Sequence, residues 1–224
     1  MPFLLFLKSF EDLLYEMMSW MIFYPRTLWR CTRHPLTMMA RAERELGCPP
    51  EEQFLDVLSP PIFLLLTVLI ALLFQVALVG NSKVIELDSG LASLIQDNTS
   101  LILFRIIAFA SLPMIASAFA LRVLHRPLDR VTLQPMFYAQ SFVTTPAVFL
   151  YSSAATLSRL AAPLADVIAG LMLLAATIFY FAVEARWFTL EMKRGRVRGS
   201  LCAVAVFVVS GAVLTITALL FAGG

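Results

Sequence analysis

Long apolar segments separated by short polar ones are the main feature of the hydrophobic pattern in this chain. A helix needs about 20 residues, at ~1.5 Å each, to cross the hydrocarbon core of a bilayer. Five apolar segments reach that length, at residues 62–80, 101–121, 133–153, 163–184 and 200–222. The pattern therefore predicts an all-α polytopic membrane protein, with five transmembrane helices in one bundle over residues 61–224.

The first 60 residues are more polar, and we expect them to form a helical arm in the cytosol or the membrane interface. Residues 3–23 would form an amphipathic helix, because Lys8, Asp12 and Glu16 follow one another at helical spacing on an otherwise apolar surface. Such a helix usually lies in the membrane interface. A spanning helix stays open as the alternative, although it would bury three acidic residues.

Proline and glycine divide the rest of the arm. Pro35 and Gly47 are expected to begin and end a short amphipathic helix at 36–46, because proline favours the first helical turn and glycine ends helices. A second short helix is expected to begin at Pro49 and end at Ser59, with acidic side chains at its positive N-terminal end.

The composition supports the membrane class. Hydrophobic residues make up 60% of the chain and charged residues 14%, whereas soluble domains contain about 45–50% and about 25%. The alternating pattern of barrel strands is absent from the sequence, and a net charge of +2 does not indicate a nucleic-acid partner. Three cysteines without a regular spacing do not predict a disulfide framework.

The distribution of Lys and Arg predicts the orientation of the bundle. Of the 17 cationic residues, fourteen lie in the N-terminal arm and in the segments after the second and fourth spans. Cytoplasmic segments carry the excess of Lys and Arg in membrane proteins. We therefore expect the N-terminus inside and the C-terminus outside, in the inner membrane if the protein is bacterial.

A charged residue lies about one turn inside each of two predicted spans. Arg105 in the second span and Asp166 in the fourth would share a depth near the outer face, and Gln75 and Tyr151 would reach the same layer. One interpretation is a polar binding site or proton-linked gate that opens to the outer side. The alternatives are a clasp between helices, or two side chains that extend separately to the outer interface.

A second polar set is expected toward the inner side of the bundle. It consists of Gln140 early in the third span, with Tyr180 and Glu184 late in the fourth. Because Arg186 and Trp187 follow Glu184, the simplest interpretation of this carboxylate is an anchor at the membrane interface. A proton-handling role is the alternative.

Two basic segments are expected to contact lipid headgroups, because arginines beside an aromatic residue suit the anionic leaflet. These contacts would be made by Arg26, Arg30, Arg33, Lys193, Arg194, Arg196 and Arg198. No cofactor is predicted, and Cys31, His34 and Cys48 do not complete a zinc ligand set. Because the common nucleotide, metalloprotease and hydrolase motifs are absent from the sequence, we expect no enzymatic activity and no catalytic residues.

The arrangement as a whole resembles a known family. A cytosolic arm with the stretch Pro-Arg-Thr-Leu-Trp-Arg at 25–30 precedes five closely spaced spans, and the third span holds a proline between Tyr138 and Tyr151. This arrangement is similar to the bacterial branch of the Yip-type membrane proteins, which interact with Rab GTPases in eukaryotes. Some bacterial members are described as permeases. The resemblance implies a membrane-trafficking adaptor and brings no catalytic residues.

Two functions are therefore expected from the sequence. The first is a non-enzymatic membrane protein that organises lipids or partner proteins, with a protein partner or a second copy of the chain. The second is a small permease-like transporter subunit, with the polar site at Arg105 and Asp166. Mid-span prolines such as Pro113 and Pro146 would suit the second function, although prolines also kink transmembrane helices that transport nothing.

Overall fold

The computed structural model describes residues 2–79, 98–160, 162–192 and 195–222 of the chain. Within these ranges the protein is helical and contains no strand, which confirms the all-α prediction there. Seven α-helices are present, with one turn of 3-10 helix at Pro50–Glu52. They are α1 Pro2–Arg33, α2 Pro35–Glu45, α3 Pro60–Val79, α4 Asn98–Val123, α5 Arg130–Leu157, α6 Pro163–Met192 and α7 Arg196–Ala222.

Four of these helices are long and apolar enough to cross a membrane within the described part of the chain. They are α3, α4, α6 and α7, which correspond to the first, second, fourth and fifth predicted spans. The prediction of a membrane protein is supported by these four helices. The predicted third span is α5, which is 28 residues long but less apolar than these four helices.

Helix α5 occupies the centre of the bundle, where it packs against α2, α3, α4 and α6. Its low hydropathy comes from polar residues that face protein, since Gln140, Ser141 and Thr145 are all fully buried. The Ser141 hydroxyl donates to the Phe137 carbonyl at 2.7 Å, and the Thr145 hydroxyl donates to the Ser141 carbonyl at 2.6 Å. Ser141 and Thr145 thus have their hydrogen-bond partners within their own helix and are closed off from solvent.

Helix α1 differs from the sequence prediction, because it continues through Pro25 to Arg33 instead of ending near residue 23. A proline removes one backbone hydrogen bond, which bends a helix without always ending it. Here the apolar face keeps its register across Pro25, since Trp20, Tyr24 and Leu28 all pack against the core. Residues 8–18, by contrast, are exposed on every side.

The remainder of the N-terminal arm folds back onto the bundle. Helix α2 begins at Pro35 as predicted, but the second predicted helix is wrong beyond Pro50–Glu52. Phe54 has a φ of 54°, in the left-handed region that does not continue a helix. Its ring lies 6.0 Å from that of Tyr138 and 6.3 Å from that of Phe142, both on α5. We call residues 20–59 the cap, because they cover one end of the bundle.

Asp56 holds the parts of the cap together. Its carboxylate accepts hydrogen bonds from Arg30 of α1, at 2.6 Å, and from Arg41 of α2. Arg41 also bonds Glu45, at 2.7 Å. These guanidinium groups, Arg41 before Arg30, hold the pKa of Asp56 well below its usual range. A lowered pKa means that the stabilisation is present at neutral pH and is lost only as the pH falls through that lowered value.

Replacing Asp56 with asparagine should therefore loosen the cap at neutral pH. Because solvent partly screens this network, we expect a loss of about 1 kcal/mol, which would speed amide hydrogen exchange in α2 about fivefold. Glu52→Gln removes an exposed acid of the same cap and should leave exchange in α2 unchanged. Equal exchange in the wild type and Asp56→Asn at pH 7 would contradict this account of the cap.

Candidate functional site

A row of polar side chains follows the interface between α5 and α6. At one end, the hydroxyl oxygens of Tyr151 and Thr177 lie 3.0 Å apart. At the other end, Gln140 Nε2 donates to Glu184 Oε2 at 3.4 Å. Tyr180 lies between these pairs on α6. The row forms because residues three and four apart share one face of a helix.

The Gln140–Glu184 pair is completely enclosed by protein. Both side chains are 0% exposed, and the second carboxylate oxygen of Glu184 has no hydrogen-bond partner among the described residues. The ion pairs found in the described ranges do not include Glu184 either. Burying a carboxyl group with so few partners costs free energy. This arrangement therefore needs an explanation beyond packing.

The buried position of Glu184 corrects the interpretation of this residue as an interface anchor. Glu184 lies one turn after Tyr180, on the face of α6 that packs against α5, so its carboxyl group points at Gln140. Arg186 lies on a different face of the same helix and lines surface depressions. The sequence order of Glu184 and Arg186 did not show which face of α6 each residue lies on.

A cavity of 330 Å³ adjoins the polar row. Its walls come from four helices, and it is lined by Phe109, Leu112, Thr144, Ala147, Val148, Tyr151, Tyr180, Phe207, Ser210 and Gly211. Most of the lining is apolar. Ser210 is 7% exposed, and its hydroxyl has no partner among the described residues. A small apolar cavity with a few hydrogen-bonding groups is the usual form of a ligand site.

The outer polar set predicted from the sequence is not assembled in the part of the chain that the structure describes. The side chain of Arg105 lies outside the described residues, so its pairing with Asp166 stays a prediction. Asp166 itself is exposed in the first turn of α6. Gln75 is buried on α3, and its amide nitrogen has no partner among the described residues. Tyr151 is the member of this set that lines the cavity.

The predicted headgroup arginines differ in their surroundings. Arg26 and Arg30 lie 3.9 and 2.6 Å from the Asp56 carboxylate, whereas the guanidinium of Arg33 lies 5.7 Å from the centre of the Trp29 ring. Arg196 and Arg198 are exposed at the start of α7. Lys193 and Arg194 lie outside the described residues.

Metal binding is not indicated by the described ranges. No group of three His, Cys, Asp or Glu side chains there is arranged to hold a metal ion. Cys31 is buried and Cys48 is exposed. Neither the polar row nor the cavity contains histidine or cysteine, so the chemistry available there is hydrogen bonding and proton exchange.

Several residues of the polar row and of the cavity were not identified from the sequence. Thr177 could have been identified, because it precedes Tyr180 by three residues and Glu184 by seven. This spacing places all three residues on one helical face. Ser210 and Gly211 interrupt an apolar span with two small residues, which is a weaker signal. The contribution of Phe109 and Leu112 depends on how α4 packs, and no sequence pattern reveals it.

Comparisons with models of protein families, with characterised proteins and with solved structures give no match to this chain. The resemblance to Yip-type proteins therefore stays a prediction from the sequence.

Proposed function

We propose that this protein is a permease-like membrane carrier of a small, mainly apolar molecule with one or two hydrogen-bonding groups. The observation that supports the proposal is the 330 Å³ cavity, whose apolar walls include the unpartnered hydroxyl of Ser210. The cavity lies between four helices of the bundle, which is a common position for small-molecule sites. We do not propose an enzymatic activity.

The proposal includes α5 as a fifth transmembrane helix. No charged residue occurs between Arg130 and Arg159, and 28 residues of helix extend ~42 Å, which exceeds the ~30 Å of a bilayer core. Its polar residues would be tolerated in the membrane because they face protein. With five spans and the positive-inside rule, the cap is cytoplasmic and the C-terminus is outside, in the inner membrane of a bacterial cell.

This orientation gives each part of the site a role. The end of the row at Tyr151 and Thr177 lies toward the outer side, and the Gln140–Glu184 pair lies toward the cap. The cap closes the cytoplasmic end through Phe54 and through the Asp56 network. The structure would therefore be a state closed to the cytoplasm, as alternating access requires. Release of a ligand to the cytoplasm would require the cap to move.

Filling the cavity should remove the bound molecule. Gly211 lines the cavity and an added Cβ there meets no atom within 4 Å, so Gly211→Leu should narrow the cavity without a clash. Protein purified from native membranes in mild detergent would be extracted and analysed by mass spectrometry for small molecules. We expect a retained compound in the wild type and at least a tenfold loss in Gly211→Leu.

Gly170→Leu is the matched control for this experiment. Gly170 lies on the exposed side of α6 and also has open space around it, but it does not line the cavity. The control should retain the compound at the wild-type level. Equal retention by both variants, or no retained compound in the wild type, would overturn the carrier proposal.

A membrane scaffold is the second candidate function, and α1 favours it. Residues 8–18 are exposed on every side, and their apolar members include Phe10, Leu14 and Met17. This segment could lie on a membrane surface or bind a partner protein, as the Yip-type resemblance implies. A wild-type protein that retains no small molecule would favour the scaffold over the carrier.

A further inference from the structure

We propose that a groove between α2, α6 and α7 binds the phosphate of an anionic phospholipid. The groove lies outside the cavity, and the proposal requires a membrane protein but not the carrier function. It consists of two adjoining depressions of 250 and 610 Å³ that share Leu36 and Arg186. The first is also lined by Arg33 and Thr37, and the second by Arg196.

The arginines of this groove have no carboxylate partner among the described residues. Arg33, Arg186 and Arg196 take part in none of the ion pairs within the described ranges. By contrast, those pairs involve Arg26, Arg30 and Arg41 in the cap, and Arg126, which lies 2.9 Å from Glu191. Three guanidinium groups around one groove without an acid create a local field that attracts an anion.

Two helices begin at the same groove and add to this field. Helix α2 begins at Pro35 and α7 begins at Arg196, and neither has an acidic residue in its first turn. Helix N-termini present backbone N–H groups and a partial positive charge, which favour phosphate. The hydroxyl of Thr37 lines the groove as a further donor. The site therefore combines three independent sources of anion attraction.

The apolar surface beside the groove indicates a lipid as the source of the phosphate. Ala182 lines the groove, and Ile178 and Leu171 lie on the same face of α6 at four and eleven residues before it. These two side chains are 58% and 61% exposed within a helix that can cross a membrane. An acyl chain could lie along this face while the headgroup occupies the groove.

Native mass spectrometry of the purified, delipidated full-length protein would test the proposal. The protein would be titrated with dioleoyl-phosphatidylglycerol and, separately, with dioleoyl-phosphatidylcholine. We expect the wild type to bind the anionic lipid about tenfold more tightly, and the double variant Arg186→Gln/Arg196→Gln to lose most of that preference. Elution of each variant as a single species on size exclusion would show that the fold persists.

A charge-matched control separates the groove from general basicity. Arg122→Gln/Arg130→Gln removes two exposed arginines from the same side of the bundle and should keep the wild-type preference. An equal loss in both double variants would overturn a specific groove. Displacement of the lipid by 10 mM inorganic phosphate would overturn the lipid assignment, because a site that recognises only an anion would not need the acyl chain.

Discussion

Replacing Glu184 with leucine should lower the free energy of unfolding by about 2 kcal/mol. The change removes the acceptor of the Gln140 amide, which is then left unpaired in a site with 0% exposure. A buried donor without a partner carries its full desolvation cost. The measurement is SDS-induced unfolding of the protein in micelles, followed by far-ultraviolet circular dichroism.

Replacing both members of the pair should restore most of that stability. Gln140→Leu/Glu184→Leu leaves no unpaired polar atom at this position, and leucine has a similar volume to either side chain. Replacing both members of a buried polar pair with apolar residues often leaves the free energy of unfolding unchanged or raises it. We therefore expect the double variant to lie within about 1 kcal/mol of the wild type, a strong departure from additivity.

Gln134→Leu is the control for this series, because Gln134 is exposed on the same helix and should tolerate the change. If the double variant were destabilised by the sum of the effects of the two single variants, the two side chains would not interact. The Gln140–Glu184 pair would then not be part of the polar row. If stability returned while ligand retention fell, the pair would serve the proposed carrier function rather than packing.

The helices could largely be predicted from the sequence, because an apolar run in lipid has few alternatives to a helix. Helix α3 at Pro60–Val79 and α7 at Arg196–Ala222 cover the predicted runs with changes of a few residues at the ends. Helix α5 shows why hydropathy alone does not settle the number of spans. Its Ser141 and Thr145 side chains bond within the helix and face protein, and a hydropathy average cannot distinguish them from lipid-facing ones.

The cap could not be predicted, because its structure depends on tertiary contacts. The sequence shows acidic and basic residues in the first 60 positions but not that Asp56 joins Arg30 and Arg41 across three segments. Tyr24 continues α1 past the expected end near residue 23, because its ring and hydroxyl contact Phe63 and Thr67 of α3. These contacts outweigh the local preference to stop at a proline.

Depth along a helix could be predicted for the candidate site, but direction around the helix could not. Residue counting places Gln140 and Glu184 at one level, and the structure brings them into contact. The same counting gives no hint that Asp166 is exposed, because a shift of one residue turns a side chain by ~100°. The cavity requires four packed helices, and its volume is a property of the packing.

Replacing Gly199 with alanine should be more disruptive than the same replacement at Gly170 or Gly211. Here α7 passes close to α6, and a Cβ atom at Gly199 would lie 2.8 Å from the Ala185 carbonyl oxygen and 2.9 Å from the Thr189 amide nitrogen. Both are backbone atoms, so the helices themselves must separate. Small residues permit such close approach between transmembrane helices, and overpacking of this kind costs about 2 kcal/mol.

Gly170→Ala and Gly211→Ala are matched controls, because an added Cβ meets nothing within 4 Å at either position. Alanine favours helix over glycine by about 0.5–1 kcal/mol, so both controls should be neutral or slightly more stable than the wild type. Thr189→Ala should rescue Gly199→Ala only in part, since it removes a side chain but not the backbone contacts. SDS-induced unfolding of the four variants measures their stability. A Gly199→Ala protein as stable as the controls would show that α6 and α7 do not approach as closely as described.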